Sequence, residues 1–252
     1  MVIVMFIDSH CHIYKEYYED IPLLMNELKE LKAVINNGCD KDSNEEVINL
    51  ISSYPNMYGA IGIHPENVTN YTDNDLKFLE ENINNKKIVA IGEIGLDYHY
   101  DKESRDRQIE LFEKQLSIAE RYNMPVIVHS REATLDTIEC LKKYKVKGVI
   151  HSFSGSFETA MIYIKMGFIL GINGVVTFKN SNLKDTVKRI GIDNLVLETD
   201  SPYLTPHPYR GEKNTPKNVI LVADFISNIF RISPEKVAEI TNKNIARIFD
   251  IQ

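Results

Sequence analysis

No stretch of this chain approaches the ~20 consecutive apolar residues that a membrane-spanning helix needs, so no transmembrane segment is expected. Cysteine is scarce: Cys11, Cys39 and Cys140 lie far apart with no CxxC spacing. That excludes a disulfide framework and suits a reducing cytoplasm. There is no basic residue in the apolar start, Met1–Ile7, and no small-residue cleavage site after it. A signal peptide is therefore not expected, and the location expected is cytoplasmic. No Pro/Ser-rich linker, low-complexity tract or long charge run divides the 252 residues, which read as a single domain, 1–252. Positive charge is not in excess. A net charge of −7 argues against a broad electrostatic grip on long duplex nucleic acid. It leaves a phosphate substrate open, because bound divalent cations can dominate the field inside a pocket.

What the chain does have is alternation. The short apolar runs are Val2–Ile7, Ala33–Ile35, Gly59–Ile63, Ile88–Ile91, Val126–Val128, Val149–Ile150, Phe168–Ile172 and Leu195–Leu197. Between them lie amphipathic stretches, among them 104–122, 132–143, 156–166 and 181–190. Eight strand-then-helix units imply a parallel sheet, and eight is the number that closes a (β/α)₈ TIM barrel. Two further helices, near 217–230 and 234–249, form a C-terminal helical extension, the second started by Ser233-Pro234. An open doubly wound sheet would carry a glycine-rich phosphate loop after an early strand, and none is present.

The polar residues that matter follow the apolar runs, at the rim where a barrel carries its active site. Strand 1 leads into Asp8-Ser9-His10-Cys11-His12. Alternation along a strand would put Asp8, His10 and His12 on one face and Cys11 on the other. Glu93 follows strand 4 in phase with two inward apolar residues, His129 ends strand 5, His151 ends strand 6, and Glu198-Thr199-Asp200 ends strand 8. Such groups are costly to desolvate without partners. Four histidines with two or three carboxylates suffice for two divalent ions bridged by a carboxylate and a water. His10, His12 and Asp200 are expected on one ion, His129 and His151 on the other, with Glu93 as the bridge. The mixed nitrogen and oxygen set suits Zn, Mn or Fe, and Mg with waters completing the shell. Glu198, one layer deeper, is expected to support a ligand histidine, and Asp8 to orient one.

These residues resemble the TatD family of metal-dependent deoxyribonucleases, within the amidohydrolase-like barrels. The likeness runs end to end through Asp8-Ser9-His10-Cys11-His12, Gly62-Ile63-His64-Pro65, Gly92-Glu93-Ile94-Gly95-Leu96-Asp97-Tyr98 and His129-Ser130-Arg131. It continues through His151-Ser152-Phe153-Ser154-Gly155, Glu198-Thr199-Asp200-Ser201-Pro202-Tyr203-Leu204 and Pro208-Tyr209-Arg210-Gly211. The resemblance implies 3′→5′ hydrolysis of phosphodiesters, mostly in DNA. It also implies that His64, Tyr98, Arg131, Ser154 and Arg210 contact substrate phosphates. Many amidohydrolases bridge their metals with a carboxylated lysine on strand 4; here that strand carries Glu93, which disfavours the dihydroorotase and phosphotriesterase types.

The expected reaction is in-line attack on a phosphodiester by hydroxide generated at the two-ion centre, with Asp200 taking the proton. Single-stranded 3′ ends of DNA are the expected substrate and partner. Neither a membrane nor an obligate protein partner is called for, and a monomer suffices. Two competitors share the scaffold: a D-aminoacyl-tRNA deacylase, and a phosphoesterase of the polymerase-and-histidinol-phosphatase type, which lacks the Glu-Thr-Asp-Ser-Pro segment. A binding module with a structural metal would use a closed four-ligand site rather than ligands from five strands.

Overall fold

The computed structural model describes residues 5–251. Eight short parallel strands follow the chain order around one sheet. They are β1 (Ile7–Cys11), β2 (Ala33–Asn37), β3 (Met57–Ile61), β4 (Ile88–Asp97), β5 (Val126–Arg131), β6 (Gly148–Ile150), β7 (Ile169–Ile172) and β8 (Leu195–Leu197). Each is followed by a helix that crosses back outside the sheet: α1 (Ile21–Glu27), α2 (Lys41–Ser53), α3 (Asp73–Asn82), α4 (Arg105–Arg121), α5 (Thr134–Leu141), α6 (Phe157–Lys165), α7 (Leu183–Ile190) and α8 (Val219–Phe230). A ninth helix, α9 (Pro234–Ile248), begins at Ser233, whose side chain accepts from the Lys236 amide. The architecture is the (β/α)₈ TIM barrel with C-terminal helices. Among the described residues no helix is long and apolar enough to cross a membrane.

Alternating side chains divide the apolar residues into two layers. Val34, Ile61, Ile94, Val128, Leu170 and Leu197 point outward into a core shared with the helices. Ile7, Ile35, Val89, Ile127, Val149 and Val196 fill the barrel floor, where the end of α9 packs against them through Ile245, Ile248 and Phe249. With its floor plugged by side chains, the barrel is open for chemistry only at the C-terminal ends of its strands.

Closure between β8 and β1 is made mostly beyond β8. Asp200 N donates to His10 O at 2.9 Å and His12 N to Ser201 O at 2.8 Å. Asp8 clamps the seam: it accepts from Thr199 N at 2.9 Å and from the Thr199 hydroxyl at 2.6 Å. Asp8→Ala takes this acceptor from both Thr199 donors and from the His10 amide, and we expect a loss of ~2–4 kcal/mol. A urea melt of the purified variant checks this; an unmoved midpoint would show that the seam does not depend on Asp8.

Several boundaries differ from those expected. The helices and β8 lie within a residue or two of the periodic segments, but β1 starts later, at Ile7, and His10 is inside it; Val2–Val4 lie outside the described residues. β4 and β5 continue past their apolar runs to Asp97 and Arg131 because their polar side chains turn into the mouth while the backbones keep pairing, Gly95 beside His129 and Asp97 beside Arg131. Nor do Asp8, His10 and His12 share one face. Asp8 is in register with Val34, and Cys11 with Asn36, across an irregularity between Asp8 and Cys11. Both point outward, Cys11 into the outer core, while the two histidines face in. Ile91 also packs outward, so Glu93 reaches the interior through a second irregularity, between Ile91 and Ile94, rather than by simple alternation.

Candidate metal centre

Glu93 is the hub. Its Oε2 lies 3.3 Å from His10 Nε2 and 3.5 Å from His12 Nε2. Its Oε1 lies 2.8 Å from His129 Nδ1 and 3.6 Å from both His64 Nε2 and His151 Nε2. Gly92 makes room for this strand, since a Cβ there would stand 2.7 Å from that of Ile127. From β8, Asp200 brings Oδ1 to 3.6 Å from Nε2 of each of His10, His12 and His151. Burial alone would push the Glu93 and Asp200 carboxyls up, but the surrounding histidines hold both below the usual carboxylate range.

The imidazoles differ in what they can do. His10 and His12 point their Nε2 atoms at each other across 3.0 Å, an arrangement that makes sense when lone pairs converge on a cation. His12 Nδ1 sits 3.1 Å from the Asn37 carbonyl, which can only accept, so the proton belongs on Nδ1 and the lone pair on Nε2. His151 stacks on His10 with centroids 3.6 Å apart, and its Nδ1 lies 3.0 Å from Glu198 Oε1, near but off the line of a good hydrogen bond. Burial lowers the His151 pKa, but the carboxylates of Glu198, Asp200 and Glu93 outweigh it and raise it to about 10. In His129, burial is likewise outweighed, by hydrogen bonds to Asp97 and Glu93, to about 9. His64 goes the other way: burial and the neighbouring His129 lower it to about 3. Its Nδ1 accepts from the Glu66 amide at 3.3 Å, so its proton is on Nε2, the form that donates to an oxygen rather than the one that ligates.

This donor set fits divalent ions. A tetrahedral zinc with bonds of ~2.0–2.1 Å holds its ligands roughly 3.3–3.4 Å apart, and six-coordinate ions hold them slightly closer. The spacings around Glu93 and Asp200, mostly 3.0–3.6 Å, are of that size. Among the described residues, three overlapping groups have the spacing to hold an ion: His10, His12 and Glu93; His10, His151 and Asp200; and His64, Glu93 and His129, though in the third the Nε2–H of His64 makes that ring a donor rather than a ligand.

Glu198 is fully buried and accepts from Ser152 N at 2.7 Å. Gly171 leaves space for it, because a Cβ there would lie 2.1 Å from Glu198 Oε2. Asp8 bonds to Thr199 and to the His10 amide rather than to an imidazole. Three of the expected substrate contacts lie on the exposed rim: Ser154, Arg131 over the Tyr100 ring at 4.8 Å, and Arg210 over the Phe178 ring at 3.8 Å. Tyr98 is not brought to the cluster through its hydroxyl, which donates to Asp136 at 2.7 Å.

Asp97 has no role in the sequence-based expectations, yet it accepts from His129 Nε2 at 2.9 Å and leaves Nδ1 to face the cluster. Its backbone is held by Gln108 of α4 at 2.8 Å on both sides. The signal was there: with β4 extended, Glu93, Gly95 and Asp97 fall in phase. Asp97→Asn should weaken ion binding on the His129 side by roughly 10–100-fold, checked by titrating metal-stripped protein; unchanged affinity would leave Asp97 a purely structural bond.

A barrel with a histidine–carboxylate cluster at the C-terminal ends of its strands defines a metal-dependent hydrolase. Residues 7–250 match the model for TatD related DNases, and the chain belongs to that family. It is similar to the metal-dependent hydrolase YabD of Bacillus subtilis, with 39% identity over 98% of this chain and all of that protein. It is also similar to the metal-dependent hydrolase YcfH of Escherichia coli K12, with 35% identity over 97% of this chain and 96% of the other. Among solved structures, the TatD homologue YjjV of E. coli K12 superposes with a TM-score of 0.93 at 28% identity, each chain fully covered. A TatD family hydrolase of Entamoeba histolytica gives 0.84 at 26%, covering 97% of this chain and 98% of that one.

Proposed function

We propose that the protein is a 3′→5′ exodeoxyribonuclease acting on single-stranded DNA ends, as a cytoplasmic monomer, with two divalent ions (Mg, Mn or Zn) in the barrel mouth. The observation that carries the reading is the division of Glu93, one carboxylate oxygen toward His10 and His12 and the other toward His129 and His151. His10, His12 and Asp200 would hold one ion, His129 and His151 the other, with Glu93 between them. Bound there, the pair would supply an activated water and neutralise charge on the phosphate.

The remaining steps belong to the chain. Asp200, ionised and close to three imidazoles, accepts the proton of the attacking water. His64, neutral and protonated on Nε2, donates to a phosphate oxygen. Glu198 keeps His151 oriented. Arg131, Ser154 and Arg210 on the rim meet the phosphates that follow, which Arg does well through its planar fork. The acidic surface favours a short single strand entering the mouth over a clamped duplex.

Metal-stripped protein reloaded with each ion and given 5′-labelled single-stranded DNA, duplex DNA and RNA tests this. A ladder shortening one nucleotide at a time from the 3′ end of single-stranded DNA is the expected result. Hydrolysis of a D-aminoacyl-tRNA ester with all three polymers intact would overturn it.

A further inference from the structure

One wall of the mouth is aromatic. The rings of Tyr14 and Tyr17 lie 5.6 Å apart and those of Tyr17 and Tyr203 5.8 Å apart. Tyr14 and Tyr203 stand 5.7 Å and 6.5 Å from the ring of His12. Exposure rises outward along this row: Tyr14 is buried, Tyr17 partly so, and Tyr203 is 50% exposed.

Tyr203 is held at both ends. Its amide donates to Asp200 O at 2.8 Å, so the turn that delivers the Asp200 carboxylate to the cluster also sets this ring at its edge. Its hydroxyl meets that of Tyr17 at 2.9 Å, and Tyr17 packs against it edge to face at 73°. A large apolar ring, fixed in place yet half open to water, suits stacking of another flat ring, because little freedom remains to be lost on contact. Two other rings near the strand ends are already covered: Arg131 lies over Tyr100 and Arg210 over Phe178. Among the described residues no cation covers Tyr203.

We propose that Tyr203, buttressed by Tyr17, is a stacking platform for a nucleobase of the strand whose phosphate lies at the metal centre. The inference rests on the phosphodiesterase reading above and adds the subsite that holds a base. Stacking of this kind accepts all four bases, since each has a π-face, and contributes without reading sequence.

Two measurements test it. In chelator, where nothing is cleaved, single-stranded oligonucleotides carry 2-aminopurine at one of the last three 3′ positions. Wild-type protein should quench the fluorescent base at one position, Tyr203→Phe should keep the quenching, and Tyr203→Leu should lose it. With ions restored, Tyr203→Leu should lower kcat/KM by about 10- to 100-fold, chiefly through KM. An oligonucleotide abasic at that position should cost the wild type the same factor and the variant nothing further. Quenching unchanged in Tyr203→Leu, or an equal loss on base-bearing and abasic strands, would overturn the platform. If the wild type cleaves neither strand while quenching still follows Tyr203, the nuclease reading falls and the base platform stands.

Discussion

Glu93→Gln should bind no more than one divalent ion per chain and lose about 10³-fold or more in turnover, beyond the roughly 10–100-fold that changes behind the ligands cost. The reasoning starts from what the carboxylate gathers. Five histidines present a ring nitrogen within 3.6 Å of one or other of its oxygens. An amide keeps the shape but has one acceptor oxygen, no charge, and an NH₂ that must point at an imidazole or an ion. Either half of the cluster could then keep an oxygen ligand, but not both. Metal content after dialysis, by plasma mass spectrometry, separates loss of an ion from loss of chemistry, and circular dichroism confirms the fold. Two ions retained with full turnover would remove Glu93 from the bridging position.

The affinity of the metal-stripped protein for divalent ions should rise steeply with pH, by up to tenfold per unit for each proton displaced, between pH ~6.5 and 9. His129 and His151 hold protons to about 9 and about 10 without an ion, and each must lose one to present a lone pair. The sign for stability is opposite. Their folded values are raised above the unfolded ~6.5, so what they contribute to the ion-free protein is fully present below that pH and lost as the pH climbs through 9 and 10. Ion-free protein should therefore lose this contribution to its melting temperature across the range in which it gains metal affinity. Calorimetric titration in two buffers of different ionisation enthalpy counts the protons released. An affinity flat over that window would mean that both rings are already neutral.

The barrel was legible in the sequence because it rests on apolar periodicity, a local signal. Leu195–Leu197 is β8 to the residue, and Ser233 caps α9 as its spacing with Pro234 suggests. The convergence of His10, Glu93, His129, His151 and Asp200 was legible because each sits in, or shortly after, an apolar strand. What could not be read is what depends on pairing between strands. The irregularities that turn His10 inward after Asp8, and Glu93 inward after Ile91, exist only in register with β2 and β5. Asp97 escaped because the polar end of β4 hid the strand that puts it in phase with Glu93. His64 carries in its bond from the Glu66 amide a tautomer that no spacing reveals.

The seam that closes the barrel joins Asp8 to Thr199 across 191 residues. His10 and His12 stand on one side of that seam and Asp200 on the other, and backbone bonds across it, Asp200 N to His10 O and His12 N to Ser201 O, hold them together. A barrel in which the segment after β8 fails to dock on β1 cannot bring Asp200 to the histidines, however well its other strands pair. Sealing the barrel and completing the cluster are thus one event rather than two.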